Sequence, residues 1–448
     1  MNSTLKSMLI AAAAITSVSA FAQDKATLDL LVKKGLITAE ERAKTLDEAA
    51  KARTASGLNK IFVKEDATKR LTFSGRIQTQ YESIGGEVTD NGTSVTKPLD
   101  ASLAFMRRLY LGFKVDMGEG ISAEIVNNFA ENTAGKNLDK AIFTADTAYG
   151  SFTLGYQKVQ WGLEENTSSS KLLTVERSAS NRFWNEEVSS GSMGRLGFGA
   201  RHTGLHYANK YAVDAAQTLE YGAAVVNAGQ GQSLGSTANN DMGLYANLIY
   251  TYKINDNNKH SLGLNWGTAR DTRAASGTAV GAGELDASIS GFNPYIKSQF
   301  DKLIVQAEYI STTNEARGTA ASAIERKPEG YTILAAYKFT EQVEGVVRYS
   351  QLDTDGQGAT FGGLYRDASN ITSPTNGGVF NKFDSVYVGV NYYFVDHNAK
   401  IMFGYEKAKA SEMLGSTTVS TATGVLGGLK GTGKADADIF RLQAQVLF

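Results

Sequence analysis

Cysteine is absent from the 448 residues. That excludes a disulfide framework, a cysteine nucleophile and a thiolate metal site. Histidine is scarce, with four copies at 202, 206, 260 and 397, which leaves little room for a histidine metal cluster. His202 and His206 are four apart and share a face of a strand as readily as of a helix; we read no metal site and no cofactor. Proline numbers only 4. Proline cannot donate to a sheet ladder, so its scarcity suits long unbroken strands. No run approaches 18 consecutive apolar residues, which excludes membrane-spanning helices. It does not exclude strands, because a strand crosses a bilayer with only alternate residues apolar. An excess of one charge is lacking as well: 45 basic side chains face 46 acidic ones, so nothing points to a nucleic-acid partner.

What is abundant is glycine, at 46, with tyrosine and phenylalanine at 20 each. Aromatic residues favour strands. The first residues have a different character. Lys6, the apolar run Met8 to Ile15 and the small-x-small triplet Ala20-Phe21-Ala22 read as a secretory signal peptide over 1–22, cleaved after Ala22. Residues 23–68 read as a helical segment. Leu28, Leu30, Leu31, Leu36, Ile37 and Leu46 stand among Lys, Glu and Ala. Lys33-Lys34-Gly35 resembles a helix end with a glycine cap, and Thr38 with Glu41 forms a capping box. Two short helices are expected there, either as a periplasmic or trimer-associating segment or as a loosely ordered solvated extension.

From Arg70 the period changes from 3.6 to 2, and residues 69–448 read as a transmembrane antiparallel β-barrel. Between Leu71 and Tyr81 the odd positions are mostly apolar or aromatic, while the even ones are Thr, Ser, Arg, Gln and Gln. The last strand repeats this: Phe440, Leu442, Ala444, Val446 and Phe448 share one face, Arg441, Gln443 and Gln445 the other. Similar segments near 103–117, 120–130, 139–149, 151–159, 194–207, 217–227, 243–254, 259–269, 287–300, 302–312, 329–339, 341–352, 382–394 and 397–408 bring the count to about 16, an even number as such barrels require. Tight turns at Asp116–Gly120, Tyr149-Gly150, Asn255–Asn258, Phe300–Lys302, Thr340-Glu341 and Val395–Asn398 alternate with long polar stretches. Short turns at one end and long loops at the other characterise a spanning barrel, whose closure leaves no open sheet edge in lipid. The pairs Tyr337/Phe339, Tyr392/Phe394 and Tyr250/Tyr252 beside tight turns fit an aromatic girdle at the headgroups.

The widest break in the alternation is 160–192. Its residues Gly162, Leu163, Glu164, Thr167, Ser168, Ser169, Leu173, Glu176 and Arg177 resemble the constriction-loop region of the phosphate-selective porin O and P family. The stretch Leu28-Asp29-Leu30-Leu31-Val32-Lys33-Lys34-Gly35-Leu36-Ile37-Thr38 is similar to the segment that precedes the barrel in many members. The terminal phenylalanine, Phe448, resembles the assembly signal read by the barrel assembly machinery. The resemblance implies a sixteen-stranded homotrimer in outer-membrane lipid, whose third loop folds inward and sets the width of each channel. Lys171, Arg177, Arg182 and Glu164 are then the candidate constriction and solute-binding residues. Arg177 has a second reading, in which it pairs with Glu164 or Glu176 and holds the loop to the wall.

Strand parity turns Arg76, Arg108, Lys114, Arg201, Lys253, Lys297, Lys338, Arg348, Lys400 and Arg441 inward. It does the same for Glu82, Asp116, Glu124, Asp146, Glu308, Glu344, Asp384 and Glu406. A one-residue bulge reverses such assignments along a strand. The function expected is passive diffusion of small hydrophilic solutes through a water-filled channel, with a lean toward anions such as phosphate. The alternatives are a structural or adhesive barrel and, with less support, a barrel hydrolase. No G-x-S-x-G accompanies His202, and no catalytic residue is assigned.

Overall fold

Alternation of apolar and polar residues makes two-faced strands. In the computed structural model such strands account for nearly all regular structure. The structure describes residues 32–34, 38–40, 70–89, 96–130, 138–186, 195–227, 242–271, 286–317, 324–365, 379–414 and 431–448. The chain divides into two units, Met1–Leu71 and Thr72–Phe448. In the first, Val32, Lys33, Ala39 and Glu40 are helical. The expected signal peptide and most of the expected helical segment lie outside the described residues.

The strands are β1 (Arg70–Thr89), β2 (Thr96–Pro98), β3 (Ala101–Gly118), β4 (Ile121–Asn128), β5 (Leu138–Thr147), β6 (Gly150–Lys158), β7 (Arg201–Ala212), β8 (Gln217–Asn227), β9 (Met242–Asn255) and β10 (Asn258–Asp271), followed by β11 (Asp286–Phe300), β12 (Leu303–Arg317), β13 (Ile324–Arg326), β14 (Glu329–Lys338), β15 (Val343–Asp353), β16 (Ala359–Thr360), β17 (Val379–Val395), β18 (Ala399–Met413) and β19 (Lys434–Leu447). Three short helices lie between strands: α1 (Leu163–Asn166), α2 (Ala179–Asn185) and α3 (Phe361–Tyr365). Strands β2, β13 and β16 are short pieces within loops. The other sixteen form one closed antiparallel wall. Closure runs from Arg76 opposite Leu447 to Thr89 opposite Lys434, in an unbroken register between β1 and β19.

The wall has an apolar outside. On β17, Val386, Val388, Val390, Tyr392 and Phe394 are all exposed, while Tyr387, Asn391 and Tyr393 between them are buried. Nine residues at about 3.3 Å each cover roughly the apolar height of an outer-membrane barrel. Tyr337 meets Phe339 and Tyr392 meets Phe394, with ring centroids 5.3 and 4.9 Å apart, beside the short turns. Those turns carry Glu119, Asp301 and Asp396 with φ of 53°, 51° and 43°; aspartate is among the few non-glycine residues that tolerate this left-handed region.

The seam is closed by the last residue. Gly75 N donates to the Phe448 carbonyl at 2.7 Å, and Phe448 N donates to Gly75 O at 3.1 Å. The Phe448 ring lies over Gly75, where an added Cβ would stand 2.2 Å from Cζ.

Two expectations change. Strand β7 starts at Arg201 rather than near 194, because residues 195–200 are buried with the preceding connection. Asp384, expected inward, shares its parity with the exposed Val386 and Val388, so it belongs to the outer face of β17.

Candidate functional site

The long connection 159–200, the fifth between wall strands and the third at the long-loop end, has the most to say about function. Its side chains and backbone engage the polar face of β1, β3, β12, β15, β17, β18 and β19. Helix α1 begins after Gly162, whose φ is 85°. The unpaired N–H groups at a helix start need acceptors, and the wall provides them. Leu163 N donates to Glu308 Oε1 at 2.5 Å and Glu164 N to Glu308 Oε2 at 3.3 Å. Gly162 N donates to Asn293 Oδ1 at 3.1 Å.

Beyond α1 the backbone is tied strand by strand. Gln445 on β19 donates to Ser170 O at 3.1 Å, Lys400 on β18 to Leu172 O at 2.8 Å, and Asn391 on β17 to Leu173 O at 2.9 Å. Val175 N donates to Tyr387 Oη at 3.3 Å. Arg348 on β15 donates to Glu176 O at 2.7 Å.

Ion pairs reinforce these ties. Arg348 lies 3.1 Å from Glu164 and 2.9 Å from Glu406, and Arg441 lies 2.5 Å from Glu82 and 2.9 Å from Glu406. Glu176 takes Arg107 from β3 at 2.5 Å and Arg182 from its own connection at 2.6 Å. All of these side chains are buried. A buried charge is tolerable only when its partners are complete. For Glu176, burial pushes the carboxyl up, but Arg107 and Arg182 outweigh it and hold it well below the usual range.

Helix α2 brings Phe183 and Trp184 into an apolar cluster with Trp161, Phe198, Ile310, Leu352, Phe361 and Phe380. Trp184 Nε1 donates to Thr312 Oγ1 at 3.0 Å. Three guanidiniums converge on the end of α3. Arg195 donates to Gly363 O at 2.7 Å, Arg182 to Leu364 O at 3.3 Å, and Arg441 to Tyr365 O. They satisfy carbonyls that a helix end leaves open, and they bind two loops and the wall into one body.

Among the described residues, two cavities border this connection. One, of about 550 Å³, lies toward β1–β7 and is bordered by Arg76, Tyr110, Glu124, Asp139, Lys140 and Arg201. Its charges are largely paired: Arg201 with Asp139, Lys140 with Glu124 at 3.3 Å, and nearby Lys158 with Glu165. The other, of about 510 Å³, lies toward β9–β14 and is bordered by Lys171, Leu172, Ile249, Lys297, Ile304 and Leu334.

The sequence candidates fall into two groups. Lys171 and Lys297 are exposed at a cavity, and Arg76 and Arg201 line the other. Arg177, Arg182, Glu164, Arg348 and Arg441 are buried. Arg177 pairs with Glu165 at 3.1 Å and donates to the carbonyls of Glu164, Glu165 and Thr167. Arg108 donates to Gln78 at 2.8 Å, and Lys114 is exposed opposite Glu124. Parity missed Arg107, which is buried beside Arg108 although strict alternation would turn one of them outward. It missed Lys158 as well. Gly155 has a φ of 137° on β6, and past it Lys158 reaches Glu165 although Phe152 and Leu154 of the same parity are exposed. Only the glycine itself hinted at this departure.

Against known proteins, the model of the family described as phosphate-selective porin O and P matches residues 72–427. No curated protein matches the chain by sequence. Among solved structures, the outer membrane channel DcaP of Acinetobacter baumannii is similar over 86% of this chain and 99% of that one, at 13% identity and a TM-score of 0.51. In-vitro folded OmpT, an outer membrane protein of Vibrio cholerae, is similar over 86% and 99%, at 14% identity and a TM-score of 0.50. At such identities the likeness is one of fold.

Proposed function

Since the chain belongs to the phosphate-selective porin O and P family, we propose that the outer-membrane channel it forms conducts small hydrophilic solutes by passive diffusion, with a preference for anions. The observation that carries this is the connection 159–200 held against the polar face by buried ion pairs. A wall of sixteen strands encloses a wide water-filled space unless something narrows it. The connection, folded inward, is the constriction.

The division of labour among its charges follows from burial. Arg177, Arg182, Glu164, Arg348 and Arg441 hold the constriction's shape. Lys171, Lys297, Arg76 and Arg201 face the solute. Charge attraction at a narrow point, weak enough to release, favours one sign of ion without covalent chemistry. Residues 1–22 direct export and are removed after Ala22, and residues 23–68 form a periplasmic segment. The channel works as a homotrimer in outer-membrane lipid, delivered by the barrel assembly machinery through Phe448.

A planar bilayer with a salt gradient tests the reading. Stepwise conductance with an anion-preferring reversal potential supports it. Cation preference would remove the anion part, and absence of steps from folded protein would remove the channel.

A further inference from the structure

We infer that the cavity toward β9–β14 is a subsite for organic anions with an apolar body, such as aromatic monocarboxylates. The inference rests on the diffusion reading above and narrows its solute class. Two features of this cavity set it apart. First, Lys171 and Lys297 are exposed, and among the described residues neither forms an ion pair. On the opposite side of the connection Arg201, Lys140 and Lys158 are matched to Asp139, Glu124 and Glu165, and Arg76 is held by the Ser169 hydroxyl and the Tyr110 ring. The carboxylate that borders the cavity, Glu164, is already held by Arg348 and by Ser178. The field inside is therefore positive.

Second, aliphatic side chains border the same space. Leu172, Ile249, Ile304 and Leu334 lie beside the two lysines, and Ile304 and Leu334 belong to one apolar cluster. Inorganic phosphate is hydrated on every side and gains nothing from such a surface. A ring or branched chain that sheds water against it does gain. Cation and apolar wall together select a solute that carries both properties.

The test uses the full-length mature protein in planar bilayers. Reversal potentials are measured with chloride replaced on one side by acetate, benzoate or phosphate. Benzoate, though larger, is expected to permeate about threefold more readily than acetate, a modest gain for partial burial of one ring. In an Ile304→Ser, Leu334→Thr variant the ratio falls to that expected from size alone. In a Lys171→Gln, Lys297→Gln variant both carboxylates lose permeability relative to sodium. Gel migration with and without heating confirms that each variant is a folded barrel. The inference is overturned if wild-type channels pass acetate faster than benzoate, or phosphate faster than either. It is overturned as well if neutral benzyl alcohol interrupts the current as strongly as benzoate. Anion-preferring steps without benzoate preference remove this subsite alone. Absence of steps removes the channel reading with it.

Discussion

Arg348 Nη1 lies 3.1 Å from Glu164 Oε1, and that contact joins the middle of a wall strand to the start of the connection 159–200. Both side chains are buried, and Arg348 also holds Glu406 at 2.9 Å. Replacing Arg348 by Gln leaves Glu164 without its ion-pair partner and Glu406 with Arg441 alone. Loss of one partner of a buried pair costs about 3–5 kcal/mol. We expect a less heat-resistant barrel and, in single-channel records, noisier and larger conductance as the connection loosens. Wild-type current noise in Arg348→Gln would contradict this role.

Among the described residues of the connection, Lys171 is the exposed charge. Lys171→Glu reverses the sign at the proposed constriction while leaving the buried ties untouched. The anion preference is expected to weaken by about tenfold or invert, since a close charge reversal in partly screened surroundings is worth about 1.4 kcal/mol or more. The zero-current potential in a salt gradient reads this directly. An unchanged potential would place the selectivity elsewhere.

Glu176 gives a pH dependence. Its carboxyl sits well below the ordinary 4.5 because Arg107 and Arg182 overcome the effect of burial. A depressed acid stabilises the folded form fully above its unfolded value, and that contribution is lost as pH falls through the folded value. The tie should therefore hold at pH 4.5 and fail only well below it. Single-channel noise recorded from neutral pH downward should stay flat to that point. A transition centred above 4.5 would show that another group controls the loop.

Gly75 and Phe448 form the seam. A Cβ at Gly75 would stand 2.2 Å from the Phe448 ring, so Gly75→Val must displace that ring. We expect slower assembly and a lower melting point, measured by heat-dependent gel migration. Refolded in vitro, without the assembly machinery proposed to read Phe448, Gly75→Val combined with Phe448→Ala should recover part of the loss if the clash is the cause.

Much of the wall could be read from residue order alone. Two-residue alternation marked sixteen strands, and the turns at Asn255–Asn258 and Phe300–Lys302 fell where the polypeptide reverses, because lipid outside and water inside impose the same rule on every strand. The rule fails where side chains depart from strict alternation of faces. Gly155 on β6 and the neighbours Arg107 and Arg108 on β3 defeat parity, and Asp384 lies on the opposite face from that expected. The inner connection was visible as a break, and Arg177 and Glu164 could be named from it. The wall partners of Glu164 could not, since Glu308 and Arg348 lie more than a hundred residues away and meet it only after closure, whereas Arg177 pairs locally, with Glu165. The apolar cluster around Trp161, Phe183 and Trp184 was hidden for the same reason: a hydrophobic run inside a long loop has no periodicity to reveal where it packs.

The two faces of the wall are the central claim, and a cysteine-free chain makes them directly accessible. Single cysteines placed by Val388→Cys on the outer face and Lys297→Cys on the inner face are exposed to a charged, water-soluble thiol reagent in reconstituted channels. Cysteine at 297 should react and change the current, while cysteine at 388 should stay unmodified unless the reagent is lipid-soluble. Equal reaction of both with the water-soluble reagent would contradict the account.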